Sequence, residues 1–147
     1  GHPEWIDFPR AGNGLSYKYA RRQWSLCKPD YLRYKYLMNF DEDMIHLFRK
    51  ENLLSFKPEL IKADEEGKVL VFRRGSYIFA VDFNSTKSFE GYAFEAPEGE
   101  WELELDTDEK RYDGFSRLIA GEKHIAGTEL RVYLPCRCAL VFKKTNR

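Results

Sequence analysis

Apolar side chains nowhere run for the roughly eighteen consecutive positions that a helix needs to cross a bilayer, and no basic, apolar and small-residue leader opens the chain. Neither a membrane span nor a secretory signal is therefore expected. Charge of one sign is missing as well, since 24 Lys and Arg stand against 24 Asp and Glu. A chain so balanced has neither the electrostatic footprint of a nucleic-acid binder nor a polybasic membrane patch. Cysteine is scarce: Cys27, Cys136 and Cys138 are an odd number without the spacing of a disulfide framework. Free thiols in a reducing cytoplasm are the simpler expectation. Nothing repeats at a fixed period and no segment is of low complexity, so a solenoid is not expected.

What is abundant is aromatic and charged, at 16% and 33% of the residues. That pairing suits a globular domain or a sugar-handling protein better than a disordered chain. A chain of 147 residues is the size of one domain and can bury roughly two-thirds of the surface it exposes when unfolded.

Residues 30 to 51 carry the spacing of the one long helix. Leu32, Tyr36, Phe40 and Met44 recur every four positions, and Leu37, Leu47 and Phe48 widen the stripe. Pro29 and Asp30 suit the start, where an Asp side chain accepts a free backbone N–H, and Asn52 suits a left-handed residue after the end. Leu53 would then fold back on Leu47 or Phe48.

After Pro58 the pattern changes to short runs of β-branched and aromatic residues: "ELIKAD", "KVLVFRR", "SYIFAVDF", "SFEGYAFE", "EWELELD", "ELRVYLP" and "CALVFKK". Seven such strands predict an antiparallel β-sandwich and a mainly β fold. The turns "DEEGK", "RRGS", "NSTKS" and "APEGE" suggest that most neighbours pair as hairpins. In "EWELELD" Trp101, Leu103 and Leu105 form an apolar face opposite Glu100, Glu102, Glu104 and Asp106, which predicts water on one side. "VLVF" and "YIFAV" are apolar on both faces. We place Val69, Val71, Tyr77, Phe79 and Val81 on one and Leu70, Phe72, Ile78 and Ala80 on the other. A two-layer sandwich covers only one face of each sheet, so the helix is expected over the second. Residues 107 to 129 read as a long surface loop with a short hairpin at Arg117 to Ile125.

Few residues invite a chemical reading on their own. His2, Glu4 and Asp7 in "HPEWID" have the types of metal ligands or of an acid and base pair, but their spacing matches no standard site. Cys136 and Cys138 with His124 lack a fourth metal partner. We expect no metal and no cofactor.

The segment "GHPEWIDFPR", followed by "GNG", "SYKYARRQWSL" and "LRYKYLMNFDEDM", closely resembles the end of the catalytic barrel in the 1,4-α-glucan (glycogen and starch) branching enzymes of the α-amylase superfamily. The likeness continues more loosely through "KVLVFRRGSYIFAVDFN", "FEGY", "LDTD" and "LPCRCALVF". It implies a (β/α)8 barrel upstream of Gly1. Residues 1 to 28 would be the rim segment after its last strand, 29 to 54 its last helix, and 55 to 147 the trailing all-β domain. Two features depart from the family: the 107 to 129 stretch is shorter, and "PCRC" adds a cysteine.

The resemblance further implies a retaining mechanism, with one Asp as nucleophile, a Glu as general acid and a second Asp steadying the transition state, the acceptor being a glucan 6-hydroxyl. The motifs that hold those carboxylates are absent here, so no residue of this chain is expected to be catalytic and the chain alone should be inactive. Trp5, Arg10 and Trp24 are the candidate substrate-binding residues. The tryptophans would offer faces for a pyranose and Arg10 hydrogen bonds to hydroxyls; the alternative is that the tryptophans are buried between loop and barrel and that Arg10 is an ion-pair group. Tyr77, Tyr92 and Tyr133 either form an accessory glucan surface or fill the core. The expected partners are α-glucan through the parent enzyme, the barrel itself, and a second copy through residues 1 to 28, with no nucleic acid or membrane. Two other readings are a carbohydrate-binding β-sandwich module and the C-terminal domain of an α-amylase-type hydrolase. In the absence of a barrel, residues 1 to 28 are expected to lie outside a self-contained fold or in a contact between chains.

Overall fold

The computed structural model describes residues 7–18, 20 and 23–145. Helix α1 spans Tyr34–Lys50. The strands are β1 (Glu59–Asp64), β2 (Val69–Arg74), β3 (Tyr77–Asp82), β4 (Phe89–Glu95), β5 (Gly99–Asp106), β6 (Lys123–Ala126), β7 (Glu129–Leu134) and β8 (Ala139–Thr145). Short 3-10 turns occupy Ala11–Asn13, Trp24–Cys27, Leu53–Ser55 and Lys110–Tyr112.

A six-stranded antiparallel sheet in the order β1-β2-β3-β8-β5-β6 faces a two-stranded one, β4-β7. The mainly β sandwich is thus as expected, but only two of the four turns make hairpins. "DEEGK" and "RRGS" join β1 to β2 and β2 to β3. "NSTKS" and "APEGE" instead carry the chain between sheets, because β4 pairs with β7 and β5 with β8. The alternating Tyr92 and Phe94 of β4 and Leu130, Val132 and Leu134 of β7 are all buried over the larger sheet, and that burial decides the pairing. Strand β6 occupies the second arm of the hairpin expected at Arg117 to Ile125, but it pairs with β5, Trp101 opposite His124, and not with an arm at Arg117.

The two-residue loop Gly75-Ser76 sets the register of β2 against β3, with Arg74 opposite Tyr77. Gly75 has a φ of 56°, which the tight turn requires and a glycine adopts without strain. This register puts Val71 opposite Ala80 and Phe72 opposite Phe79. Val69, Val71, Ile78 and Ala80 therefore share the sandwich interior, while Phe72, Tyr77 and Phe79 share the other face. The expected grouping had the parity of β3 reversed. In β5 a bulge between Leu103 and Leu105 corrects a second expectation. Trp101 and Leu103 enter the sandwich core, but Leu105 crosses to the opposite face and Asp106 is buried, not wet.

Helix α1 covers that opposite face, as the doubly apolar strands require. Leu47, Leu53, Tyr77, Phe79, Leu105 and Val141 form a second core, with Phe40, Phe48 and Phe72 against it. Phe79 stacks on Phe72 at 4.8 Å and meets Phe48 at 5.8 Å. Asn52 is left-handed at φ 49° and Leu53 packs in the cluster of Leu47, as expected. The helix starts later than expected, at Tyr34: Asp30 caps nothing and pairs with Lys35 at 2.7 Å. Residues 107 to 117 are more than surface loop. Tyr112 donates to Asp43 at 2.6 Å, Arg111 pairs with the same carboxylate at 2.7 Å, Phe40 meets Tyr112 edge-on, and Arg33 binds Asp113. The loop straps α1 to the sandwich.

Candidate functional site

Two places collect residues that the fold does not need for its own core. The first is the outward side of α1. Leu37 was expected in the buried stripe, yet it is 61% exposed, and Ile45 is 51% exposed. They sit with Met38 beside the Trp24–Cys27 turn, and Trp24 is 73% exposed. Together these residues line an open groove of about 560 Å³. A neighbouring depression of about 430 Å³ continues it past Met44 and Phe48 to Leu54. The helix is thus apolar on two sides: one packs on the sheet, and among the described residues the other meets only the thin turn at Trp24.

Of the candidate substrate-binding residues, Trp5 lies outside the described residues, as do His2 and Glu4. The Arg10 guanidinium binds Asp7 through Nε at 3.1 Å and Nη2 at 3.3 Å, and Asn13 Nδ2 donates to the same carboxylate at 3.0 Å. Those bonds, led by the one from Arg10, hold the Asp7 carboxyl below the usual range. Trp24 faces the groove and not the core. None of the described residues before Leu32 is buried. Tyr77 and Tyr92 fill the core, with the Tyr92 hydroxyl donating to Asp64 at 2.8 Å, and Tyr133 is half-buried. None of the three offers a fully open ring for a sugar.

The second place is a buried ionic cluster at the end of the sandwich, which alternation had hidden by assigning Asp106 to the solvent. Asp108 is 2% exposed and takes a forked pair from Arg117 Nε (2.9 Å) and Nη2 (2.8 Å), plus backbone N–H bonds from Phe115 and Arg117. Burial works to raise its pKa, but these bonds outweigh burial and bring it down to about 2. Asp106 accepts the Asp108 backbone N–H at 2.6 Å, and burial pushes its carboxyl up to about 6. The loop closes so tightly that a side chain at Gly114 would begin 2.0 Å from the Asp108 carbonyl oxygen. Arg117 also reaches Cys136 and Cys138 in the turn between β7 and β8. His124 instead packs edge-on against Phe142.

Chemically, the second place ties a loop down, since its carboxylates are enclosed and already bonded, while the first is an apolar wall open to a partner. Residues 60–145 match the family model described as "Alpha amylase, C-terminal all-beta domain". Over 96% of its length the chain is 39% identical to a 1,4-alpha-glucan-branching enzyme of Rhizophagus irregularis, and over 99% it is 38% identical to one of Equus caballus. Over 88% it is 40% identical to a chloroplastic/amyloplastic 1,4-alpha-glucan-branching enzyme of Oryza sativa subsp. japonica. It spans 22% of the fungal and horse relatives and 16% of the rice one. With the matched segment running from β1 through β8, the chain belongs to the alpha amylase C-terminal all-beta domain family.

Proposed function

We propose that this chain is the C-terminal part of a 1,4-α-glucan branching enzyme, and that the outward side of α1 is its seat against the catalytic barrel. In this reading residues 1 to 28 are the rim segment, 29 to 54 the last barrel helix and 55 to 147 the all-β domain. The parent cuts an α-1,4 chain and passes it to a 6-hydroxyl; its catalytic carboxylates lie on the barrel, and this chain alone is inactive. Trp24 is a docking residue. Arg10 shapes the rim through its bond to Asp7, and Trp5 and Arg10 are the pair through which the segment would meet glucan. Three free thiols favour a reducing compartment such as the cytoplasm.

The observation that carries this is the second apolar side of α1. Burying a large apolar side chain contributes roughly 1.5–3 kcal/mol, so Trp24, Leu37, Ile45 and Leu54 together represent a stable docking contact left open. In isolation the same surface should draw a second copy, read as concentration-dependent sedimentation. The direct experiment replaces the corresponding segment of the Rhizophagus irregularis relative with this chain and follows branching by iodine stain. The chimera should branch glucan while the chain alone neither branches it nor is retarded in a glycogen gel. Strong retardation of the isolated chain would favour a carbohydrate-binding module. A chimera that releases reducing ends in bulk without a stain shift would favour a hydrolase.

A further inference from the structure

Cys136 and Cys138 stand one residue apart in the turn that joins β7 to β8. With a single residue between them, their Cα atoms cannot be more than about 7 Å apart even in an extended chain. Arg137, at φ 59°, is left-handed and folds the backbone tighter, toward the span that a disulfide bridges. Cys138 Sγ lies back over its neighbour, 3.4 Å from the Cys136 carbonyl oxygen. Both sulfurs also meet one guanidinium: Arg117 Nη1 is 3.6 Å from Cys136 Sγ and Nη2 is 3.3 Å from Cys138 Sγ. We propose that Cys136 and Cys138 are an oxidisable dithiol, closed to a disulfide by a small peroxide such as hydrogen peroxide.

The two thiols are unequal in the sense such chemistry needs. Cys136 is the more exposed of the two, at 8% against 4%. The hydrogen bond from Arg117, helped by Ser88, draws its pKa below the ordinary thiol value, whereas burial pushes Cys138 up to about 12. Cys136 is therefore the attacking sulfur and Cys138 the resolving one. In the first step the Cys136 thiolate attacks one peroxide oxygen, the O–O bond breaks, and the departing hydroxide takes a proton to leave as water, giving a sulfenic acid. In the second, Cys138 gives up its proton, its sulfur displaces the hydroxyl from Cys136 as water, and the S–S bond forms. Two thiols and one peroxide become one disulfide and two waters.

The same arginine holds Asp108 and so the strap over α1, which places the dithiol at the joint between helix and sandwich. Peroxide titration of the whole chain, followed by alkylation and peptide mass mapping, tests the proposal. The expected product is a Cys136–Cys138 disulfide formed while half-buried Cys27 is still alkylatable. Cys138→Ser should trap a Cys136 sulfenic acid, captured by dimedone. In Cys136→Ser the oxidation of Cys138 should be at least roughly tenfold slower. Thermal melts of both variants, each a change of one atom, confirm that they are folded. Oxidation of Cys27 alone overturns the proposal. So does a Cys136 sulfenic acid that persists with Cys138 intact.

Discussion

The two layers that cover the six-stranded sheet differ in how far they are themselves covered. On one side the β4-β7 ribbon presses its Leu130 and Leu134 onto Trp101 and Phe142, all four fully enclosed. On the other, α1 seals Phe79 and Leu105 beneath it but carries Leu37 and Ile45 on its back, with Trp24 exposed beside them. A monomer gains nothing from greasy side chains kept in water. The sandwich closes on itself, and in the proposed reading the helix layer is left open for the catalytic barrel.

The largest effect should come from the closed layer. Trp101→Ala removes a fully buried ring and its bond to the Pro97 carbonyl, and should cost about 4 kcal/mol in a urea melt. A loss no greater than that of an exposed tryptophan would erase the distinction between the layers. Next comes the strap. Arg117→Met leaves Asp108 buried without its forked partner and should cost about 3 kcal/mol at pH 7. Because the folded pKa of Asp108 is depressed to about 2, its contribution is present above about pH 4 and lost as the pH falls toward 2. In the variant that acid sensitivity should shrink.

Asp106 should behave in the opposite sense and more weakly. Its folded pKa is raised to about 6, so its contribution is full below about pH 4 and is lost as the pH rises through 6. Asp106→Asn keeps an acceptor for the Asp108 N–H and should raise stability at pH 7.5 by about 1–2 kcal/mol, flattening the melt profile between about pH 4 and 6. An unchanged pH profile would mean that Asp106 is ionised at no cost.

Much of this architecture was legible in the residues. The β-branched runs located seven strands, and the double apolarity of "VLVF" and "YIFAV" called for a layer on each side. Asn52 and Leu53 marked the end of α1. What escaped was set by partners distant in the chain. "KHIA" reads as the arm of a local hairpin, and only β5 beside it shows its true partner. The perfect alternation of "EWELELD" conceals a bulge that only the register with β8 creates. The parity of β3 follows from the loop at Gly75, and Leu37 is indistinguishable from a core leucine until the sheet shows which side of α1 it occupies. The family likeness leads us to expect exposed apolar groups in residues 1 to 28, but not the exposed Leu37 and Ile45 on the back of α1. The ionic cluster was missed because an aspartate in alternation reads as solvated.

The outward side of α1 is tested most directly by one double substitution measured in two settings, Leu37→Glu with Ile45→Glu. In the isolated chain, melted at a concentration too low for self-association, both side chains face water, so the melting midpoint should stay within the equivalent of about 0.5 kcal/mol. In the chimera with the Rhizophagus irregularis enzyme, two charges pressed into an apolar contact should abolish branching. A chimera that branches normally with both glutamates in place would contradict the docking role, and an isolated chain that unfolds with them would show that this side belongs to the chain's own core.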